Sequence, residues 1–157
     1  MGVTGSGKTT IGRLFAESLG WKFFDADDFH PAANIEKMKR GVPLNDADRE
    51  PWLSRVRRVI SDCIERNESA VIACSALKES YRKFLSISES VKIVYLKGEP
   101  DVLEQRLRSR SDHYMNPDLL ASQFQTLEEP HDSLRIDVSL SPPEIVATIR
   151  EYLGIGN

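Results

Sequence analysis

The sequence predicts a three-layer α/β fold in which one parallel sheet is covered by helices on both faces. Short apolar runs of strand length alternate along the chain with segments whose apolar residues recur at helical spacing. This alternation is typical of parallel sheets, because parallel neighbours need a helical crossover between them. A glycine-rich loop at residues 2–9 opens the first helical segment, as phosphate-binding loops do. We expect residues 1–157 to form a single domain.

The elements follow one another in regular order. Ile11, Leu14 and Phe15 share one face of a helix predicted over residues 10–20. Pro100, followed by acidic Asp101, marks the first turn of a later helix. Apolar residues three or four apart predict three later helices, at residues 52–64, 100–107 and 143–153. The predicted strands are the short apolar runs at 21–24, 70–74, 91–96 and 136–140.

Two stretches fit neither pattern. Residues 29–51 and residues 108–130 are long, polar and rich in motifs. Long insertions of this kind in a compact domain usually bind ligands or close over a site. We therefore predict a substrate-binding insertion at about 29–51 and a lid at about 108–130.

Composition excludes several classes of protein. The chain has 21 basic and 24 acidic residues, and a net charge of −3 disfavours nucleic-acid binding as its main role. Two cysteines are too few for a disulfide framework, which indicates a reducing compartment. No apolar run approaches the roughly 18 residues of a membrane span, and no signal-peptide pattern is present. We expect a cytoplasmic protein with no membrane or nucleic-acid partner.

The glycine-rich loop matches the pattern G-x-x-x-x-G-K-[ST]. It reads Gly2-Val3-Thr4-Gly5-Ser6-Gly7-Lys8-Thr9 and runs into Thr10. The glycines let successive backbone N–H groups converge on the phosphates of a nucleotide. Lys8 can reach the β- and γ-phosphates, and the hydroxyl of Thr9 is placed to bind Mg²⁺. The loop therefore predicts a nucleoside triphosphate site.

The start of the chain is unusual for such a loop. A phosphate-binding loop normally follows a buried strand of about five residues, and here Met1 alone precedes Gly2. We therefore expect the central N-terminal strand of the sheet to be missing, or upstream residues to be absent from this chain. Because unpaired buried backbone groups are costly, a chain without that strand is expected to fold poorly or to react weakly.

Acidic residues follow the predicted strand at 21–24. In open α/β sheets, ligands bind at the carboxyl ends of the strands. Asp25 and Asp27 lie two residues apart, so one can face a metal ion while the other accepts a proton from a substrate hydroxyl. Asp28 is an alternative base, and a solvated acidic turn is the alternative to both roles.

Three cations are candidates for binding an acidic substrate. The guanidinium of Arg49 matches a carboxylate bidentately, or it only neutralises the acids around it. Lys78 and Arg82 are four residues apart and share one face if the segment after the 70–74 strand is helical. A solvated basic helix face is the alternative for that pair.

The lid carries further candidates. Arg106 and Arg110 are four residues apart, and a closing lid can deliver either of them to a transferring phosphoryl group. Their alternative role is to complement a helix dipole. His30 and His113 are not spaced as metal ligands and are predicted to orient loops or substrate.

Together these motifs resemble the thermoresistant-type gluconokinases, a branch of the P-loop small-molecule kinases related in fold to shikimate and nucleoside-monophosphate kinases. The most specific runs are His-Pro, Leu-Asn-Asp, Cys-Ser-Ala-Leu-Lys and Ser-Gln-Phe. The likeness covers nearly the whole chain and includes residues 1–9, 25–31, 41–46, 48–49, 51–53, 73–78, 81–82, 95–98, 113–115 and 122–124.

The resemblance implies ATP-dependent phosphorylation of D-gluconate at its terminal hydroxyl, with Mg²⁺ as cofactor, in a homodimer. It implies that the loop binds the triphosphate and that Thr9 and Asp25 hold Mg²⁺. Asp27 would act on the hydroxyl, and Arg106 or Arg110 would close over the phosphoryl group. The substrate would be held by Asp27, His30, Arg49, Lys78, Arg82 and His113. Two alternatives remain: a kinase of another small anion such as shikimate, or a truncated nucleotide-binding isoform without activity.

Overall fold

In the computed structural model, residues 1–109 and 119–156 are described, and they form four strands and seven α-helices. The chain runs through α1 (Lys8–Leu19), β1 (Lys22–Asp25), a 3-10 turn (Ala26–Phe29), α2 (Ala32–Lys39), α3 (Asp46–Glu65), β2 (Ala70–Ala73), α4 (Glu79–Leu85), β3 (Val94–Lys97), α5 (Pro100–Arg108), α6 (Leu119–Thr126), β4 (Leu134–Asp137) and α7 (Pro142–Tyr152). None of the helices among these residues is long and apolar enough to cross a membrane.

The strands are parallel, as predicted, but they form two separate pairs. β1 pairs with β2, in a register that sets Lys22 opposite Ala70. β3 pairs with β4, with Val94 opposite Leu134. Within the described residues, neither β2 nor β3 pairs with any further strand.

Helices cover both faces of the strands, and two apolar clusters form the core. One cluster joins α1, α5 and α7 to β3 and β4 through residues such as Phe15, Leu103 and Ile149. The other joins α3 and α4 to β2 through Trp52 and Val56, both almost fully buried. α1 approaches β1 closely at Gly12, where a Cβ atom would lie 2.7 Å from the ring of Phe23. The layered arrangement predicted from the alternating pattern is therefore present.

The main difference from the predicted elements is the start of α3. The helix begins at Asp46 rather than at residue 52, because Asn45 and Asp48 form a capping box. The Asn45 side chain accepts a hydrogen bond from the Asp48 backbone N–H at 2.8 Å, and Asp48 accepts one from the Asn45 N–H at 3.0 Å. This cap satisfies the first free N–H groups of the helix. As a consequence, Arg49 stands on a rigid helix instead of a loop.

The two irregular stretches also contain helices. α2 and the first turn of α3 fall within residues 29–51, and α6 falls within residues 108–130. Met38 of α2 and Leu119 of α6 bury against each other, with Ile35 and Leu44 packed beside them. The two insertions therefore meet each other in the structure through a small apolar cluster of their own.

Candidate active site

The glycine-rich loop forms one wall of a cavity of about 410 Å³. Gly5 and Gly7 have φ angles of 79° and 88°, in the left-handed region that side-chain-bearing residues avoid. α1 begins directly after them, so its free N–H groups point into the cavity. The cavity lies at the carboxyl ends of β1 and β2, because Asp25 and Ser75 also line it.

Lys8 is held at this wall in a charged surrounding. Its Nζ donates a hydrogen bond to the Val3 carbonyl at 2.9 Å. Burial lowers the pKa of Lys8, and the charges of Asp27 and Asp25 oppose this shift. An anionic phosphate beside Lys8 would favour its charged form, as expected for a residue that binds a nucleotide.

Thr9 and Asp25 are brought together as the metal-binding prediction requires. The Thr9 hydroxyl donates to Asp25 Oδ2 at 2.7 Å, and Asp25 Oδ1 accepts from the Asp27 N–H at 3.1 Å. Among the described residues, no group of three or more His, Cys, Asp or Glu side chains could hold a metal ion. Two oxygen donors suit Mg²⁺, which keeps several waters and is otherwise bound by substrate phosphates.

The 3-10 turn after β1 sets Asp27 beside His30. The His30 Nε2 atom lies 3.9 Å from Asp27 Oδ1, and the His30 ring stacks on Trp52 with 4.4 Å between ring centroids. Asn34 Nδ2 lies 3.3 Å from His30 Nδ1, so Nδ1 accepts and the ring proton is on Nε2, facing Asp27. Burial, aided by the charge of Arg49, lowers the pKa of His30 to about 4. His30 is therefore a neutral donor at pH 7.

This pKa makes folding stability depend on pH below neutrality. Between the unfolded pKa of about 6.5 and the folded pKa of about 4, the unfolded chain binds the extra proton. The contribution of His30 to the free energy of unfolding is therefore fully present above pH 6.5. It is lost as the pH is lowered toward 4, and the loss reaches up to roughly 2 kcal/mol. Urea unfolding at pH 7 and pH 4.5 measures the loss. The His30→Gln variant should show a smaller loss than the parent chain, and an equal loss would contradict this origin.

Of the three cations predicted to bind the substrate, Arg49 lines the same cavity. Its guanidinium carbon lies 5.7 Å from the centroid of the Tyr81 ring, and its Nη1 atom donates to the Tyr81 hydroxyl at 3.3 Å. The Tyr81 hydroxyl in turn donates a short hydrogen bond to Asp46. Arg49 is thus oriented by a neighbour on α4.

Lys78 does not converge with Arg82 as the sequence predicts. Lys78 precedes α4 as its N-cap residue and donates to Asp46 Oδ1 at 2.9 Å. The hydrogen bonds from Tyr81 and Lys78 hold the pKa of Asp46 below its usual value. Lys78 is therefore paired with a carboxylate of this chain, beside the cavity that Arg49 lines.

Arg82 lies inside the protein instead of in the cavity. Its side chain is buried and donates to the carbonyls of Ala76 and Leu77 at 3.0 and 2.9 Å. Ala76 has a φ angle of 44°, an unfavourable conformation for an alanine. Arg82 therefore supports the turn that follows β2 at the edge of the cavity.

Replacing Arg82 with methionine is expected to lower the free energy of unfolding by about 2 kcal/mol, because two buried carbonyls lose their donor. Lys83→Met is the matched control, since Lys83 is exposed and pairs with Glu79 within the same helix. That control should change stability by less than about 0.5 kcal/mol. Urea unfolding at pH 7 measures both variants. Equal stability of the two, together with a raised KM for the acceptor in the Arg82 variant alone, would assign Arg82 to substrate binding.

The lid candidates are only partly described. Arg106 lies on α5, where its Nη2 atom donates to the Val138 carbonyl at 2.8 Å. Arg110 and His113 lie outside the described residues. This hydrogen bond attaches the Arg106 side chain to the residue that follows β4.

The predicted site omits Gln123. Its Oε1 atom accepts a hydrogen bond from the Thr4 N–H at 2.7 Å, and Ser122 and Gln123 both line the cavity. α6 is thereby attached to the phosphate-binding loop. The Ser-Gln-Phe run contributes to the resemblance, but a lone glutamine in a helix carries no sequence signal for such a contact.

This fold and this cavity define a P-loop kinase of a small molecule. The sequence matches the family "Shikimate kinase" over residues 4–153. It is 42% identical to a mouse protein named "Probable gluconokinase", covering 98% of this chain and 95% of that one. It is 40% identical to the "Thermoresistant gluconokinase" of Escherichia coli, covering 99% and 92%.

Comparison with solved structures distinguishes between the gluconokinases and the shikimate kinases. A gluconokinase from Sinorhizobium meliloti is 39% identical, with a TM-score of 0.82 over 98% of this chain and 92% of that chain. A shikimate kinase from Bacteroides thetaiotaomicron is only 22% identical, with a TM-score of 0.64, and therefore shares the fold alone. This chain belongs to the gluconokinase family.

Proposed function

We propose that this chain transfers the γ-phosphoryl group of ATP to the terminal hydroxyl of D-gluconate, forming 6-phospho-D-gluconate and ADP. Membership of the gluconokinase family supports the reaction. The observation that carries the proposal is the composition of one cavity. The phosphate-binding loop lines it, and so do Asp27, His30 and Arg49.

The nucleotide side of the cavity is assigned to residues 2–10. Their backbone N–H groups, at the start of α1, bind the phosphates, and Lys8 neutralises charge on the β- and γ-phosphates. Thr9 and Asp25 are the residues that would hold Mg²⁺, since their oxygens lie together at 2.7 Å. When bound, Mg²⁺ supplies electrostatic stabilisation of the phosphate oxygens.

The acceptor side is assigned to residues that suit an anionic polyol. Asp27 accepts the proton of the attacking hydroxyl, because it is a carboxylate close to Lys8 and to the phosphate-binding loop. His30 donates its Nε2 proton in the same region and positions the hydroxyl or Asp27. Arg49 binds the gluconate carboxylate, for which the guanidinium fork is the suitable donor.

The lid assignment remains part of the same proposal. Arg106 or Arg110 closes over the transferring phosphoryl group and neutralises charge that develops there. We also propose that the enzyme is a cytoplasmic homodimer whose product enters the pentose phosphate pathway, as the resemblance implies.

ADP release by the purified chain with ATP and Mg²⁺ tests the reaction. Gluconate, shikimate, glucose and no acceptor are compared. Release that depends on gluconate supports the proposal, and release with shikimate alone would support the family match to shikimate kinase instead. Nucleotide binding without release for any acceptor would indicate an inactive nucleotide-binding isoform.

A further inference from the structure

The hydrogen bond between Gln123 and Thr4 joins the phosphate-binding loop to a helix from the far end of the chain. The Thr4 N–H donates to Gln123 Oε1 at 2.7 Å. Only 4% of the surface of Thr4 is exposed, and a buried backbone N–H is costly without an acceptor. Gln123 therefore supplies an acceptor that the buried loop requires.

The peptide unit between Val3 and Thr4 is also held at its other end. The Val3 carbonyl accepts a hydrogen bond from Lys8 Nζ at 2.9 Å and one from the Ser6 N–H at 3.3 Å. A trans peptide unit is planar, so its C=O and its N–H point in opposite directions. Rotation of this one unit would therefore break the bond to Gln123 and the bond to Lys8 together.

The chain that follows this peptide unit is a weak guide to its orientation. Gly5 comes directly after Thr4, and Gly5 and Gly7 both have positive φ angles. Glycine has more accessible backbone conformations than any other residue. A contact from outside the loop is therefore needed to fix the unit in one orientation.

The helix α6, which carries Gln123, is fixed on both sides of that residue. Leu119 and Leu120 are buried at its start. Just beyond its end, the Glu128 N–H donates to the Leu77 carbonyl at 2.9 Å. The Gln123 amide thus extends from a rigid support toward the loop.

We infer that Gln123 is a positioning residue, which orients the Val3–Thr4 peptide unit and through it holds the Lys8 ammonium in place for the triphosphate. The inference rests on the proposed function for the role of Lys8 as a phosphate-binding residue. It adds a residue of α6 to the nucleotide side of the site, and that residue acts through the loop.

The expected consequence is specific to the nucleotide. With the peptide unit held, Lys8 is ordered before the phosphates arrive, and this ordering lowers the cost of binding them. Without the acceptor on α6 the unit is free to rotate, and Lys8 Nζ loses the carbonyl that holds it. Nucleotide affinity should fall, whereas the affinity for the acceptor should not.

The test uses three substitutions at one position. Gln123→Met removes the acceptor at similar side-chain length, and Gln123→Asn keeps the amide but is one methylene too short to reach Thr4. Gln123→Glu retains an acceptor at the same reach. Gln125→Met is the matched control, because Gln125 lies on the same helix and is exposed.

Three quantities are measured for each variant. These are amide hydrogen exchange at Thr4 without nucleotide, ATP affinity by calorimetry in the presence of Mg²⁺, and KM for gluconate. The methionine and asparagine variants should speed exchange at Thr4 at least tenfold and weaken ATP binding about three- to tenfold. Their KM for gluconate should stay within about twofold of that of the parent chain.

The other two variants separate the hydrogen bond from a general effect on the helix. Gln123→Glu should keep exchange at Thr4 within about threefold of the parent chain, because its carboxylate accepts the same N–H. Gln125→Met should change none of the three quantities. Gln123→Asn keeps a polar side chain in the helix, so the test does not depend on the folding of the methionine variant.

Three results would overturn the inference. They are unchanged exchange and ATP affinity in the methionine and asparagine variants, equal effects of Gln125→Met, and a raised KM for gluconate at unchanged ATP affinity. Exchange and ATP binding require no acceptor. A chain that phosphorylates no acceptor would therefore contradict the proposed reaction, and these two measurements would still decide the role of Gln123.

Discussion

Replacing Asp27 with asparagine is expected to lower kcat at least a hundredfold and to leave ATP affinity within about twofold. Asparagine keeps the shape of the side chain but cannot accept the hydroxyl proton, and a positioned base contributes typically 10²–10⁴-fold to a rate. The 3-10 turn and the contact with His30 should hold the asparagine in place. Steady-state ADP release with saturating gluconate, and nucleotide binding by calorimetry, measure the two quantities.

Asp28→Asn is the matched control for this prediction. Asp28 belongs to the same 3-10 turn and lines the same cavity, but it is exposed to solvent. Of the two carboxylates, only Asp27 lies near His30 and acts on the charge of Lys8. The Asp28 variant should keep kcat within about threefold of the parent chain. A larger loss for Asp28→Asn than for Asp27→Asn would reverse the assignment of the base.

Replacing Arg49 with methionine is expected to raise KM for gluconate between ten- and a hundredfold, with KM for ATP nearly unchanged. Hydrogen bonds between charged groups contribute about 1.5–3 kcal/mol, which corresponds to this range. Arg49→Lys should recover only part of the affinity, because an ammonium lacks the planar fork of two donors. Initial rates over a range of gluconate concentrations, at saturating ATP, give both constants.

Lys78→Met provides the comparison for Arg49. Lys78 pairs with Asp46 beside the cavity, and its loss should change KM for gluconate by less than about threefold. A larger effect of Lys78→Met than of Arg49→Met would mean that Asp46 releases Lys78 to the substrate. The two variants therefore decide which cation binds the carboxylate.

Local sequence patterns were sufficient to predict many of the structural elements of this protein. The phosphate-binding loop, the helix that follows it and Asp25 at the end of β1 all lie within the first 25 residues, and each was predicted from consecutive amino acids. The parallel direction of the strands was also predicted from the sequence, because strand and helix segments that alternate along a chain are compatible with few other folds. The capping box at Asn45 is a local pattern as well, although the predicted helix there began six residues too late.

The roles of the cations depended on distant partners. Arg82 and Lys78 have the helical spacing of a joint binding face, yet Arg82 turns inward to the carbonyls after β2 and Lys78 turns to Asp46, 32 residues away. Gln123 reaches Thr4 across 119 residues. The spacing of residues along a helix predicts which of them share a face. The groups that they contact there belong to other elements of the fold.

The sequence by itself thus predicted the phosphate-binding loop and the acidic strand end, because both are built from consecutive amino acids. Folding in three dimensions settled which side chains enter the cavity, since that choice depends on burial and on partners remote in sequence.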